Sequence, residues 1–356
     1  MTIIQTYDTF RKKIHHLVPT GHAYRERNLV WLMVGIYLSH SVHLSKVANK
    51  MTGNAKRVSR SRRLSRFLDN GAVRVRRWYE ATAVYLLAEA ARAGVVRLIM
   101  DGTQIAQSHQ LLMVSLAYRR RALPIAWTWV EVPKGHSSGW KQRALIDYVH
   151  RLVPAGARVV VTGDTEFTPL QPLLESWHWF YVLRQKGSHL YRCHPSDPWQ
   201  RVDSLCSRPG QRVWQPAIQL TQQHRSLCNF LAYWRPGEKE PWLLATNLPS
   251  ARQTLQQYTR RAWVEEMFGD FKGHGADLQH SHLRHFLRLS RLTLAVALLY
   301  VWLVAFGASV IKRGDRHLVD RADRRDLSIY RIGSDMLERC LINDRPISIR
   351  NGPYFT

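Results

Sequence analysis

Acidic residues are scarce in this sequence: 26 Asp and Glu stand against 52 Lys and Arg in 356 residues, a formal net charge of +26. That imbalance disfavours cationic partners and favours a polyanion, nucleic acid first, with binding that weakens as salt rises. Cysteine is equally sparse. Cys193, Cys206, Cys228 and Cys340 lack the short paired spacing of zinc sites and are expected as reduced, mostly buried thiols. No apolar leader precedes Arg11, Lys12 and Lys13, so the expected location is the cytoplasm, associated with the nucleoid. Hydrophobic runs long enough to span a membrane are missing except from Leu292 to Ile311, flanked by Arg288 and Arg291 on one side and Lys312 and Arg313 on the other. That run could span a membrane. Following a charged helix in so basic a chain, it is read instead as a core helix covered by protein, and no membrane partner is expected.

What is present begins with a helical region over residues 1–94, apolar around Leu29 to Leu38 and Ala81 to Ala91. Between those stretches lies a basic block broken only by Asp69. Thr52-Gly53-Asn54 separates a short helix starting near Ser45 from a second near Ser59, a pattern compatible with a helix-turn-helix. A charge run is often only a solvated face. The near absence of compensating acid favours DNA contact here, by Arg57, Arg60, Arg62 and Arg63.

From Val95 the pattern changes to α/β. Val95 to Met100 reads as a buried strand ending at Asp101-Gly102-Thr103, followed by strands over Leu111 to Tyr118 and Pro124 to Val132 joined by an Arg119-Arg120-Arg121 turn. A helix from Gly139 to Leu152 leads to a strand over Arg158 to Thr162 that ends in Gly163-Asp164. Thr168 and Pro169 start another helix, and Phe180 to Arg184 forms a fifth strand. Three strands, helix, strand, helix, strand make a mixed α/β layer over residues 95–186. Asp101 and Asp164 fall at carboxyl ends of its strands, where functional groups gather. Arg184 and Lys186, just beyond the fifth strand, are read as phosphate-backbone contacts. Residues 187–250 read as a β-rich insertion, 251–311 as the second part of the core, and 312–356 as a basic, partly helical C-terminal region.

The most informative pattern is Tyr258, Arg261, Glu265 and Lys272, separated by two, three and six residues. At about 100° per residue they share roughly a 60° arc of one helix, opposite Trp263, Val264, Met267 and Phe271. An ordinary i,i+4 ion pair would explain Arg261 and Glu265 alone. Asp101 and Asp164 could likewise close turns. Taken together, three carboxylates on two strand ends and a helix suit two hard divalent cations, Mg²⁺ or a substituting Mn²⁺, acting on phosphate. Glu166 and Glu266 are set aside as neighbours of these acids, and His280, His282 and His285 as phosphate or solvent contacts.

The Tyr258-x-x-Arg261-x-x-x-Glu265 spacing with Lys272 resembles the YREK motif of bacterial insertion-sequence DDE transposases of the insertion sequence four family. Asp101-Gly102-Thr103 and Gly163-Asp164 resemble that family's first two acidic motifs. The resemblance implies an RNase H-like core and cut-and-paste transposition, with Asp101, Asp164 and Glu265 as metal-binding catalytic residues. It implies that Tyr258, Arg261 and Lys272 hold DNA near the scissile phosphate. It further implies cleavage at inverted-repeat ends, with a hairpin as one route to the second strand, then transfer into target DNA by a synapsed homodimer. An extruded base is expected to stack on a Trp of the insertion, Trp242 by position, with Trp234 competing. Two alternatives stay open: a domesticated nuclease without strand transfer, and an inactive DNA-binding repressor.

Overall fold

The computed structural model describes residues 2–105, 109–132, 137–221 and 226–355, except the side chains of Thr2 and His274. Five helices come first: α1 (Thr2–Leu17), α2 (Ala23–Ser39), α3 (Leu44–Asn49), α4 (Arg57–Asp69) and α5 (Val75–Arg92). β1 (Val96–Ile105), β2 (His109–Tyr118) and β3 (Arg121–Val130) follow, then α6 (Gly139–His150), β4 (Val159–Gly163), α7 (Gln171–Ser176) and β5 (Phe180–Arg184). Beyond them lie β6 (Leu190–Arg192), β7 (Gln200–Arg201), β8 (Arg212–Leu220), β9 (Ser226–Tyr233) and β10 (Trp242–Thr246). The helices α8 (Ala251–Tyr258), α9 (Trp263–Gly269), α10 (Phe286–Lys312) and α11 (Ile329–Ile342) complete the chain.

All ten strands join one mixed sheet in the order β3-β2-β1-β4-β5-β10-β9-β8-β6-β7. β1 runs parallel to β4 and β4 to β5, while β2 and β3 are antiparallel neighbours. The strands of the expected β insertion thus belong to the same sheet as the core strands. β10 pairs antiparallel with β5 and carries the sheet onward, although the outer strands bury a separate apolar cluster around Phe230, Ile218 and Val202. The expected end of β1 at Asp101 is also corrected: the strand continues to Ile105 because Gly102, Thr103, Gln104 and Ile105 all pair with β2. Asp101 sits within a strand, opposite Met113.

The apolar run near the C-terminus is α10, the central helix. It is long and apolar enough to cross a membrane, yet it is buried almost throughout, packed against α2, α4, α5, α11 and β3. Against α11 the backbones meet closely. A methyl group on Gly307 would strike the Ile329 carbonyl and one on Gly333 the Leu303 carbonyl, so only glycine allows this crossing. At its other end Arg291 donates to the carbonyls of Leu68 (2.7 Å) and Val73 (3.2 Å), and Arg288 to Ser65 Oγ at 2.8 Å. These bonds fasten α4, the second helix of the expected helix-turn-helix, to the core.

Candidate functional site

Three segments far apart in sequence deliver the site. β1 places Asp101, whose Oδ1 accepts from the Gly102 amide at 2.7 Å. β4 ends at Gly163, and Asp164 caps the short 3₁₀ helix Thr165–Leu170 by accepting from Thr165 N at 2.8 Å. That turn starts before the expected Thr168 because the Asp164 carboxylate satisfies its first free amide. Glu265 lies in the first turn of α9.

These acids meet around one guanidinium. Arg261 stands 2.6 Å from Asp101 Oδ2, 3.2 Å from Glu265 Oε1 and 3.9 Å from Asp164 Oδ2. Burial alone would lower its pKa, but Asp101, Tyr258, Asp164 and Glu265 outweigh burial and raise it. Like charges gather here because a fixed cation lies between them. Among the described residues no three His, Cys, Asp or Glu side chains are grouped to hold a metal ion. The donor type nonetheless fits a hard divalent cation: three carboxylates already turned to a shared positive centre.

The single helix face expected for Tyr258, Arg261, Glu265 and Lys272 is not what forms. α8 ends at Tyr258, a 3₁₀ turn spans Thr259–Ala262, α9 carries Glu265, and a π-helical turn over Asp270–His274 holds Lys272. A 3₁₀ turn rotates about 120° per residue rather than 100°, so the arc is lost. Tyr258 points inward, 3% exposed, into a cluster with Val182, Leu231, Leu244 and Leu248, while Glu265 is exposed. Burial pushes the Tyr258 hydroxyl up to about 12, with Arg261 opposing and Asp164 reinforcing the shift. Trp242 is half-buried edge-on to Tyr258, ring centroids 5.1 Å apart; Trp234 instead donates to the Glu238 carbonyl at 3.0 Å.

The remaining cations divide by their partners. Arg184 pairs with Glu240 at 2.5 Å, and exposed Lys186 edges a cleft with Thr165, Glu166, Thr168, Ser188 and His189. On α4, Arg57 and Arg62 are exposed, whereas Arg60 turns back to donate to the carbonyls of Met51 and Gly53. Arg63 is half-buried, and burial lowers its pKa. His280 pairs with Asp277 at 2.5 Å and His282 packs edge-on to His43.

Three supporting residues escape sequence reading. Arg121 on β3 holds α9 and the turn after it through Glu266 (2.7 Å) and Asp270 (3.5 Å). Glu166 accepts from the Ser137 amide at 2.6 Å and from Gln110 Nε2 at 3.5 Å. Gln110 is fully buried over Gly102, where a methyl group would overlap its amide nitrogen. A glycine following Asp101 on a strand is the one signal that something packs closely there.

No family model and no curated protein matches the chain. Among solved structures it is similar to a piggyBac transposase in a cryo-EM synaptic complex with hairpin DNA. The identity is 11%, the match covers 98% of this chain and 79% of that chain, and the TM-score is 0.44. An overlap this loose does not bear on function.

Proposed function

We propose that this chain is a DDE-type DNA transposase of the insertion sequence four kind, cutting element ends and joining them to target DNA. The observation that carries the reading is the convergence of Asp101, Asp164 and Glu265 on Arg261. The strand order β3-β2-β1-β4-β5, antiparallel then parallel, supports an RNase H-like core beneath that site. The net charge of +26 supports DNA as the substrate.

In this reading Asp101, Asp164 and Glu265 hold two Mg²⁺ or Mn²⁺ ions, which when bound activate the attacking hydroxyl and stabilise the leaving oxygen. Arg261 exchanges its carboxylate partners for two oxygens of one phosphate of the cleaved strand, a bidentate match its planar fork suits. Lys272 contributes a second positive contact on the backbone. Tyr258 supports Arg261 from below and backs Trp242, the proposed stacking partner for an extruded base. Two chains act together to synapse two ends.

The test is cleavage and joining of a DNA carrying both element ends, with magnesium, by the purified chain and by Asp101→Asn, Asp164→Asn and Glu265→Gln. All three variants should bind DNA and lose both products. Cleavage without joining by the unmodified chain would indicate a nuclease; binding without cleavage under Mg²⁺ and Mn²⁺ would indicate a repressor.

A further inference from the structure

Arg119 and Arg120 form the tip of the β2–β3 hairpin, closed by the Tyr118–Arg121 pair, and both have left-handed backbone, φ 40° and 64°. A two-residue turn of this kind favours Asn-Gly, because each Cβ at positive φ costs about 1–2 kcal/mol. Two arginines are a poor local choice. Their side chains offset at most part of the strain within the chain: both residues are exposed, and neither side chain forms an ion pair among the described residues. Arg119 rests over the Tyr118 ring at 5.6 Å. Backbone strain of this sort collects where a residue's outward chemistry is needed.

The position of the tip is informative. The next residue, Arg121, is tied to Glu266 and Asp270, so the hairpin is fastened to the helix that carries Glu265. A groove beside them, between α9 and the start of α11, is lined by Glu265, Glu266 and Asp335, with Arg121 at its edge. Asp326 pairs with Arg324 and Asp335 with Arg331, but Arg121 is one cation shared by Glu266 and Asp270, so this groove stays acidic and the phosphates are assigned to the exposed tip beside it. Asp101 pairs with Met113, and Tyr118 closes the hairpin farther along the same strand. At 3.4 Å per residue the tip lies about 17 Å along the sheet from Asp101, roughly five base pairs of duplex.

We propose that Arg119 and Arg120 grip the phosphate backbone of double-stranded DNA about five base pairs from the reacting phosphodiester. The assignment rests on reading the chain as a DNA-acting enzyme.

The double variant Arg119→Asn/Arg120→Gly installs the turn pair the backbone prefers. Its Tm should rise, yet its affinity for a labelled duplex should fall. The slope of log K against log salt should become shallower by roughly 2, so that the affinity lost between about 50 and 200 mM salt shrinks about tenfold. Arg119→Lys/Arg120→Lys should keep the original slope. Two duplexes, one from the DNA flanking the coding sequence and one unrelated, show whether the grip falls on element ends or on any DNA. Unchanged affinity and slope in the Asn-Gly variant, or a Tm that does not rise, overturns the proposal. If the unmodified chain binds neither duplex, the DNA reading fails with it; if it binds and the Asn-Gly variant binds equally, only the hairpin assignment fails.

Discussion

The guanidinium of Arg261 donates to the carboxylate of Asp101 at 2.6 Å, joining residues 160 positions apart. The side chains are 16% and 5% exposed, which makes this a buried ion pair rather than a surface one. Arg261 holds the three acids together, and under the proposed function it would yield that place to cations and DNA.

Removing it should expose that dependence. Arg261→Ala removes the guanidinium paired with buried Asp101, a loss of about 3–5 kcal/mol for a broken buried pair. Denaturant unfolding in EDTA should show that loss, and Mg²⁺ should restore more stability to the variant than to the unmodified chain. An equal response of both proteins to Mg²⁺ would rule out the acids as a shared cation site.

On α4, the two neighbouring arginines should separate stability from DNA affinity. Arg60→Ala frees the carbonyls of Met51 and Gly53 and should lower stability by roughly 1–3 kcal/mol, with DNA binding reduced only through the loosened turn. Arg62→Ala, exposed on the same helix, should leave Tm unchanged and make the salt slope of DNA binding shallower by about 1. Thermal melts and salt titrations on both variants decide the matter; the reverse pattern contradicts the placement.

A pH effect follows from Glu26, which is buried on α2 between Arg11 (3.1 Å) and His15 (2.9 Å) of α1. Burial alone would raise its pKa, but these partners prevail and hold it below the ordinary 4.5. A depressed folded pKa contributes stability above the unfolded value and loses it as pH falls through the folded one. Glu26→Gln should be less stable than the unmodified chain at neutral pH by roughly 1.5–3 kcal/mol. The gap should close as pH drops below about 4.5, and a gap independent of pH would show that packing, not charge, is responsible.

Gly333→Ala tests the seam between α10 and α11. The added methyl meets the Leu303 carbonyl, which is backbone and cannot rotate away, so the loss should reach the upper end of about 1–3 kcal/mol for overpacking. The atoms nearest a methyl on Gly102 belong to the Gln110 side chain, which can move, so Gln110→Ala in the same chain should recover most of the smaller loss of Gly102→Ala. Equal losses in the two single variants, measured by urea unfolding, would argue against this distinction.

Much of the site's chemistry was legible because it is local. Branched apolar runs ending near Asp101 and at Gly163-Asp164 carry a strand signature, and the break at Thr52-Gly53-Asn54 marks the bend between α3 and α4. Charge imbalance is likewise a property of composition, and it is what motivates the proposal of a nucleic-acid partner. The motif spacing picked out Tyr258, Arg261, Glu265 and Lys272, but assumed one uniform helix; the 3₁₀ and π turns that split it arise from packing Tyr258 against the sheet and fastening α9 to Arg121.

By itself, the sequence determined that this is a basic α/β chain with three separated acids and a buried apolar helix, since composition and periodicity are properties of neighbours along the chain. Tertiary structure alone decided that Arg261 is the cation those acids share, that the β insertion prolongs the central sheet, and that Arg60 braces a turn. Each depends on partners distant in sequence or on a side-chain direction, which no local pattern encodes.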